Sequence, residues 1–86
     1  MITIFYRASF VRQYRKLPID VQQETKEKIK LFREDSQHGF LNTHKLEGRL
    51  QGRYGFSINY KYRIIFIHLG KNSVAFLAVG DHDIYK

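Results

Sequence analysis

The chain has no cysteine and no long apolar run, and both absences exclude classes of protein. Without cysteine, disulfides and thiolate metal sites are unavailable, which fits a reducing compartment. No stretch reaches the roughly 18 apolar residues of a membrane span. The N-terminal segment ITIFYRASF is too short and turns polar too soon for a signal peptide. We therefore expect a cytoplasmic protein that does not enter a membrane.

Several catalytic signatures are missing as well. The chain contains no P-loop, GxGxxG segment, serine triad, paired-carboxylate signature or zinc-ligand spacing. The nearest approach to a metal site is His82 between Asp81 and Asp83, without cysteine or a second histidine at ligand spacing. We therefore expect no metal and no cofactor, and the corresponding enzyme classes are disfavoured.

Positive charge and aromatic side chains are abundant. The 86 residues are enough for one domain, 1–86, and carry 15 Lys+Arg against 8 Asp+Glu, for a formal net charge of +7. This excess favours a polyanionic partner, and an aromatic content of 15% adds capacity for stacking on bases. Glu47 is the one acidic residue in the densest basic stretch, 44–63. The cations there, our candidate RNA contacts besides Arg63, are Lys45, Arg49, Arg53 and Lys61.

The order of the predicted elements indicates an α+β domain. In chain order we expect a strand over 2–6, helices over 8–16 and 19–35, a short extended piece over 44–46, and strands over 53–59, 62–68 and 74–79. Leu17-Pro18 separates the two helices, because the residue before proline avoids the α region. We expect the last three strands to form an antiparallel meander.

The register of the first hairpin follows from parity. In both strands every second residue is apolar. The two apolar sets lie on one face of the sheet only if the numbers of paired residues sum to an even value. Pairing Ile58 with Tyr62 across the turn 59–61 meets this condition and places Ser57 opposite Arg63. The helices should then cover the apolar face, leaving Arg63 on the other.

Arg63 and His82 are the first candidates for chemistry. Arg63 lies in mid-strand and offers a permanent charge with a planar fork of donors to phosphate. The alternative is a surface arginine packed on Ile65. His82 lies just past the last strand, where an imidazole can act as general acid or base. The alternative is an exposed loop histidine.

His44 and Tyr85 complete the candidate set. His44, on the short extended piece, would form an acid/base pair with a second histidine if the fold brings them together. Tyr85 is suited to stacking on a base or to proton transfer, and alternatively to anchoring the C-terminus. We interpret His38 as a connector residue and His68 as a histidine at a strand end.

Four segments resemble one protein family. KLP at 16–18, THKLEG at 43–48, YGFSINYKYRIIF at 54–66 and VGDHDIY at 79–85 are similar to the RelE/StbE, YafQ-like branch of the RelE/ParE toxin superfamily. The resemblance covers nearly the whole chain in order. It implies a β–α–α–β–β–β, microbial RNase-like fold and the toxin of a bacterial type II toxin–antitoxin pair. Active members cleave mRNA, commonly in the ribosomal A site, by attack of a ribose 2′-hydroxyl on the adjacent phosphate, without metal.

The resemblance also implies roles for the four candidates. Arg63 matches the arginine that stabilises the phosphate, and Tyr85 matches a C-terminal tyrosine proposed as general base. His82 and His44 match histidines of the YafQ-like toxins. His82 would protonate the leaving 5′-oxygen, and either His44 or Tyr85 would take the 2′-hydroxyl proton.

The chain departs from the family pattern at three positions. Gly55 and Ser57 stand where RelE has two lysines, and a central histidine of YafQ also falls at Ser57. Lys61 replaces an aspartate of YafQ. The resemblance therefore implies a hybrid of two site types.

The implied partners are an acidic antitoxin that wraps the toxin, mRNA and the ribosome, and operator DNA only as a toxin–antitoxin complex. The positive charge and the apolar end of the second face, at Ile65 and Ile67, favour the same antitoxin. Two alternatives remain open. One is a non-catalytic ParE-like toxin that binds DNA gyrase, and the other is a degenerate toxin that only binds its antitoxin.

Overall fold

Two helices pack on one side of a five-stranded mixed sheet. The computed structural model of the protein describes residues 1–85, apart from the side chains of His82 and Tyr85. The helices and strands are β1 (Thr3–Tyr6), α1 (Ala8–Arg15), α2 (Ile19–Glu34), β2 (His44–Lys45), β3 (Tyr54–Ser57), β4 (Arg63–Gly70) and β5 (Ser73–Gly80). Short 3-10 helices span Gly39–Leu41, Gly48–Leu50 and His82–Tyr85. The predicted α+β class and element order are confirmed.

The sheet has the strand order β1-β5-β4-β3-β2. The antiparallel meander of β3, β4 and β5 matches the prediction. β1 runs parallel to β5, and β2 adds to the outer edge of β3. The sequence predicts both of these segments but indicates no partner for either. β1 pairs with a strand near the other end of the chain, whereas β2 pairs with the next strand in the sequence.

The register of the β3–β4 hairpin is the one that parity predicts. Ser57 lies opposite Arg63, and Phe56 lies opposite Ile64. The backbone N–H of Ile58 donates to the carbonyl oxygen of Tyr62 at 2.9 Å. The apolar side chains of both strands therefore point to the side that the helices cover, which we call the helix face.

Phe32 of α2 lies at the centre of the core on the helix face and is fully buried. Its ring centroid lies 4.6 Å from that of Phe56, 5.0 Å from that of Phe66 and 5.5 Å from that of Phe76. Such aromatic pairs contribute about 0.5–1.5 kcal/mol each beyond the burial of their area. One side chain of α2 thus ties together three strands.

α1 completes the hydrogen bonding of β5 where β1 stops. Leu77 is the extra residue of a β-bulge in β5, and β1 ends opposite Phe76, one residue earlier. Beyond that point Ser9 Oγ donates to the Leu77 carbonyl oxygen at 2.6 Å, and the Val79 N–H donates to Gln13 Oε1 at 2.9 Å. Two side chains of a helix thereby satisfy backbone groups that a strand would otherwise pair.

The two helices are short. α1 has 8 residues and α2 has 16. In the part of the chain that the structure describes, no helix has the length and apolar character needed to cross a bilayer.

Candidate functional site

The predicted site lies on the sheet surface away from the helices, which we call the site face. Ser57, Arg63 and Gly80 lie side by side across β3, β4 and β5. His44 pairs with Gly55, two residues further along β3. Paired residues point to the same side of a sheet, so His44 shares the site face with Arg63. From the usual strand spacing and rise, their Cα atoms are about 12 Å apart.

The guanidinium of Arg63 is bound by the hairpin that precedes it. Nη1 donates to the carbonyl oxygens of Asn59 and Tyr62, and Nη2 donates to that of Tyr60 at 3.1 Å. The side chain is half-buried and bends toward the turn, away from His44. An arginine has five N–H groups, so two of Arg63's lack a partner among the described residues. The charge is held in place, and two donors remain for an anion.

Asn59 organises the turn to which Arg63 is bound. Its Oδ1 accepts from the backbone N–H groups of Lys61, at 2.9 Å, and Tyr62, at 2.8 Å. Its Nδ2 donates to Glu24 Oε1 on α2 at 3.1 Å. Asparagine favours such local turns, and this one is also tied to a helix. The turn therefore offers its carbonyls to Arg63 in a defined geometry.

The C-terminal 3-10 helix carries His82 and Tyr85, whose side chains lie outside the described residues. Its position follows from Ile84, whose Cγ2 lies 2.5 Å from the point that a Cβ on Gly80 would occupy. Because Gly80 pairs with Arg63, that Cβ would point to the site face. The helix therefore folds back over the site face beside the Arg63 strand, and only glycine leaves room for it.

His44 is exposed and has a defined tautomer in its neutral form. Its Nδ1 lies 2.8 Å from the carbonyl oxygen of Asn42. A carbonyl oxygen can only accept, so the hydrogen bond assigns the proton to Nδ1 and leaves Nε2 unprotonated in the neutral ring. Asn42 adopts the left-handed conformation, with φ of 50°, which asparagine tolerates well. His44 Nε2 is thus suited to accept a proton.

The predicted basic residues divide into two groups. Lys45 follows His44 on a strand and so points to the opposite side of the sheet. With Arg53 it lines a groove of about 570 Å³, and Arg49 lies on the 3-10 helix beside it. Lys61 lies instead at the β3–β4 turn. The structure therefore does not gather the four cations around Arg63.

A second groove, of about 510 Å³, lies beside Arg63 and contains residues that the sequence does not single out. Glu24 comes from α2, Phe40 from the connector and Tyr60 from the hairpin turn. Phe40 is 76% exposed and Tyr60 is 88% exposed. Large aromatic side chains in polar segments are a signal in the sequence, but their proximity arises only in the fold.

The sequence predicts an apolar surface for a protein partner on the site face. This prediction is wrong for Ile65, which is only 3% exposed. Ile67 is half-buried. An apolar groove of about 250 Å³ lies instead between α1 and α2. Its lining residues are Tyr6, Phe10, Val11, Tyr14, Lys26 and Ile29.

No protein-family model and no curated protein sequence matches the chain, but solved structures do. YafQ from E. coli strain BL21(DE3) aligns with a TM-score of 0.78 at 14% identity, over 98% of this chain and 97% of that chain. The YoeB/ParE toxin from Agrobacterium tumefaciens aligns with 0.77 at 13% identity, over 94% and 99%. The toxin–antitoxin complex RelBE2 from Mycobacterium tuberculosis gives 0.77 at 17% identity, over 94% and 98%. The chain therefore has the fold of the RelE/ParE toxins, as its motifs predict.

Proposed function

We propose that this protein is the toxin of a type II toxin–antitoxin pair and acts in the cytoplasm as a metal-independent endoribonuclease on mRNA at the ribosome. One observation carries the proposal. Arg63 lies directly across from Gly80, where the 3-10 helix bearing His82 and Tyr85 folds back over the same face. The candidate phosphate-binding cation and the backbone of the segment that carries His82 and Tyr85 thus lie in one region of a fold shared with toxins.

The proposed reaction needs only RNA and these side chains. The ribose 2′-oxygen bonds to the adjacent phosphorus, the bond to the 5′-oxygen breaks, and a 2′,3′-cyclic phosphate results. The two N–H groups of Arg63 that have no partner among the described residues stabilise the charge that grows on the phosphoryl oxygens. His44 Nε2, or Tyr85 as its phenolate, takes the 2′-hydroxyl proton, and His82 as an imidazolium protonates the 5′-oxygen that leaves.

Primer extension on a translated mRNA tests the proposal. We expect discrete cuts by the wild type, a loss of about 10²–10³-fold in rate with Arg63→Ala, and about 10²–10⁴-fold with His82→Ala. Lys71→Ala removes an exposed cation at the opposite end of β4 and should cut normally. Full cutting by either site variant would remove that residue from the mechanism.

The identity of the base is a separate question. His44→Gln and Tyr85→Phe each remove one candidate proton acceptor. The variant that loses about 10²–10⁴-fold in single-turnover cleavage identifies the base. Equal, near-normal rates for both variants would exclude both residues.

A cognate antitoxin is the proposed partner, and operator DNA is bound only by the complex of the two. The RelBE2 structure is a toxin–antitoxin complex. Here the net charge of +7 and the apolar α1–α2 groove, which includes Lys26, suit an acidic segment with an apolar side. Co-expression with the product of an adjacent open reading frame should relieve growth arrest and co-purify an acidic chain. A non-toxic, monomeric product expressed alone would count against this partner.

Binding of DNA gyrase without RNA cleavage is the alternative function. One observation weighs against cleavage: three N–H groups of Arg63 are already bound by the protein's own backbone, which leaves fewer donors for a phosphate. Inhibition of gyrase supercoiling by a protein that makes no RNA cuts would establish this alternative.

A further inference from the structure

Two aromatic rings project into the groove beside Arg63 without being part of the core. Phe40 and Tyr60 are among the most exposed large side chains of the described chain, at 76% and 88%. They come from segments 20 residues apart, yet both line the same groove of about 510 Å³, together with Ser57 and Arg63. Solitary exposed aromatics are ordinary, whereas two that converge beside a held cation need an explanation.

Phe40 is fixed in position by His38. The backbone N–H of Phe40 donates to His38 Nδ1 at 3.1 Å, which caps the 3-10 helix Gly39–Leu41. The two ring centroids lie 4.8 Å apart, with the planes tilted by 58°. Both the backbone and the ring of Phe40 therefore have a partner, although most of the ring surface faces solvent.

The backbone of Tyr60 is held in place as well. Its carbonyl oxygen accepts from Arg63 Nη2 at 3.1 Å. The side-chain oxygen of Asn59, the residue before Tyr60, accepts from the backbone N–H groups of Lys61 and Tyr62, the two residues after it. With that backbone held, the stacking of a flat ligand needs to order only the side chain of Tyr60.

We infer that Phe40 and Tyr60 are base-stacking residues that hold unpaired nucleotides of single-stranded RNA on either side of the phosphate bound by Arg63. This inference deepens the proposed RNA cleavage and rests on it. Every base has a π-face, so stacking of this kind tolerates different sequences. It requires unpaired bases, because the faces of paired bases are already covered in a duplex.

The charges around the groove favour RNA over a protein partner. Lys28 and Arg63 line the groove, and Lys61 adjoins Tyr60 in the turn. Glu24 is the one carboxylate among the lining residues, and its Oε1 is bound to Asn59. Single aromatic rings among cations match a nucleotide, with its flat base and its phosphate, better than an apolar protein segment.

Equilibrium binding to a fluorescent 2′-O-methyl RNA strand tests the inference, because this strand lacks the attacking hydroxyl. We expect Phe40→Ala and Tyr60→Ala each to weaken binding by about 5- to 150-fold. The salt dependence should stay that of the wild type, because neither ring carries charge. Tyr60→Phe should bind normally, and Phe5→Ala, which removes an exposed ring of β1, should have no effect.

Two further ligands separate stacking from phosphate binding. The same strand with abasic sites should bind the wild type and the Ala variants equally weakly, and a duplex should not distinguish them. RNA cleavage by the wild type, combined with undiminished RNA binding by both Ala variants, would overturn the inference and leave the proposed function standing. Loss of antitoxin binding by the Ala variants, with RNA binding unchanged, would also overturn the inference and leave the proposed function standing. A wild type that neither binds nor cuts RNA would overturn both.

Discussion

On the helix face Phe32 lies among three phenylalanine rings, and on the site face Arg63 lies among three backbone carbonyls. The first arrangement removes apolar area from water and supplies much of the free energy of folding. The second arrangement holds one half-buried charge through hydrogen bonds whose net contribution to stability is small, because water would form similar bonds in the unfolded chain. The helix face should therefore govern stability, and the site face should govern activity.

Phe32→Ala gives the largest expected effect on stability. Removing a fully buried ring from the centre of the core should cost about 3–5 kcal/mol in the free energy of unfolding. A domain of 86 residues has little stability to spare. Urea denaturation followed by circular dichroism measures the loss. Phe5→Ala, the same change at a ring that is 54% exposed, is the control. Equal midpoints for the two variants would contradict this account of the core.

Arg63→Lys tests the site face, where we expect a large effect on activity and a small effect on stability. Lysine keeps the charge but has neither the planar fork nor the reach to three carbonyls. We expect RNA cleavage to fall by about 10²–10³-fold, while the free energy of unfolding changes by less than about 1 kcal/mol because water can replace the lost bonds. Single-turnover cleavage and urea denaturation measure the two effects. A large loss of stability with full activity would reverse the assignment of the two faces.

Gly80→Ala tests the junction of β5 and the C-terminal 3-10 helix. The new methyl group would meet Ile84 Cγ2 at 2.5 Å, so the helix must shift away from Arg63. We expect a cost of about 1–3 kcal/mol in stability and a loss of cleavage. Gly70→Ala is the matched control, because a Cβ there meets no atom within 4 Å. Wild-type cleavage by Gly80→Ala would show that the helix position does not matter.

Gln13→Ala should have the smallest effect. It leaves the Val79 N–H without its acceptor and should cost about 1 kcal/mol in the free energy of unfolding. Gln13→Glu keeps an acceptor oxygen and should restore most of that stability. Thermal unfolding compares both variants with Gln23→Ala, an exposed glutamine of α2. If Gln13→Ala and Gln23→Ala unfold at the same temperature, α1 does not support β5 as described.

The sequence predicted most of the arrangement of the strands on the helix face. Alternation along two adjacent strands restricts their register, because a slip of one residue would expose an apolar set. The pairing of Ser57 with Arg63 followed from that alternation together with a turn at 59–61. The bulge at Leu77 could not be foreseen, because it depends on where β1 ends and on which side chains of α1 reach β5.

The candidate site was predictable in part. The register places His44 and Arg63 on one face. The sequence did not reveal that the Arg63 side chain turns toward the hairpin carbonyls, or that Phe40 comes to lie beside it. Lys45, a candidate RNA contact, lies on the opposite side of the sheet from His44 and Arg63, because side chains alternate along a strand. The conformation of Arg63 and the position of Phe40 depend on side-chain conformation and on contacts between distant segments.

Periodicity in the sequence determined the α+β class, the hairpin register and the sheet face that carries Arg63, because burial of apolar area acts on patterns that are local along the chain. The tertiary structure alone decided that β1 joins β5 in parallel, that the C-terminal helix returns over Gly80, and that Phe40 and Tyr60 share a groove. Each of these unites segments through packing that depends on the shape of the whole molecule, and a local pattern does not encode that shape.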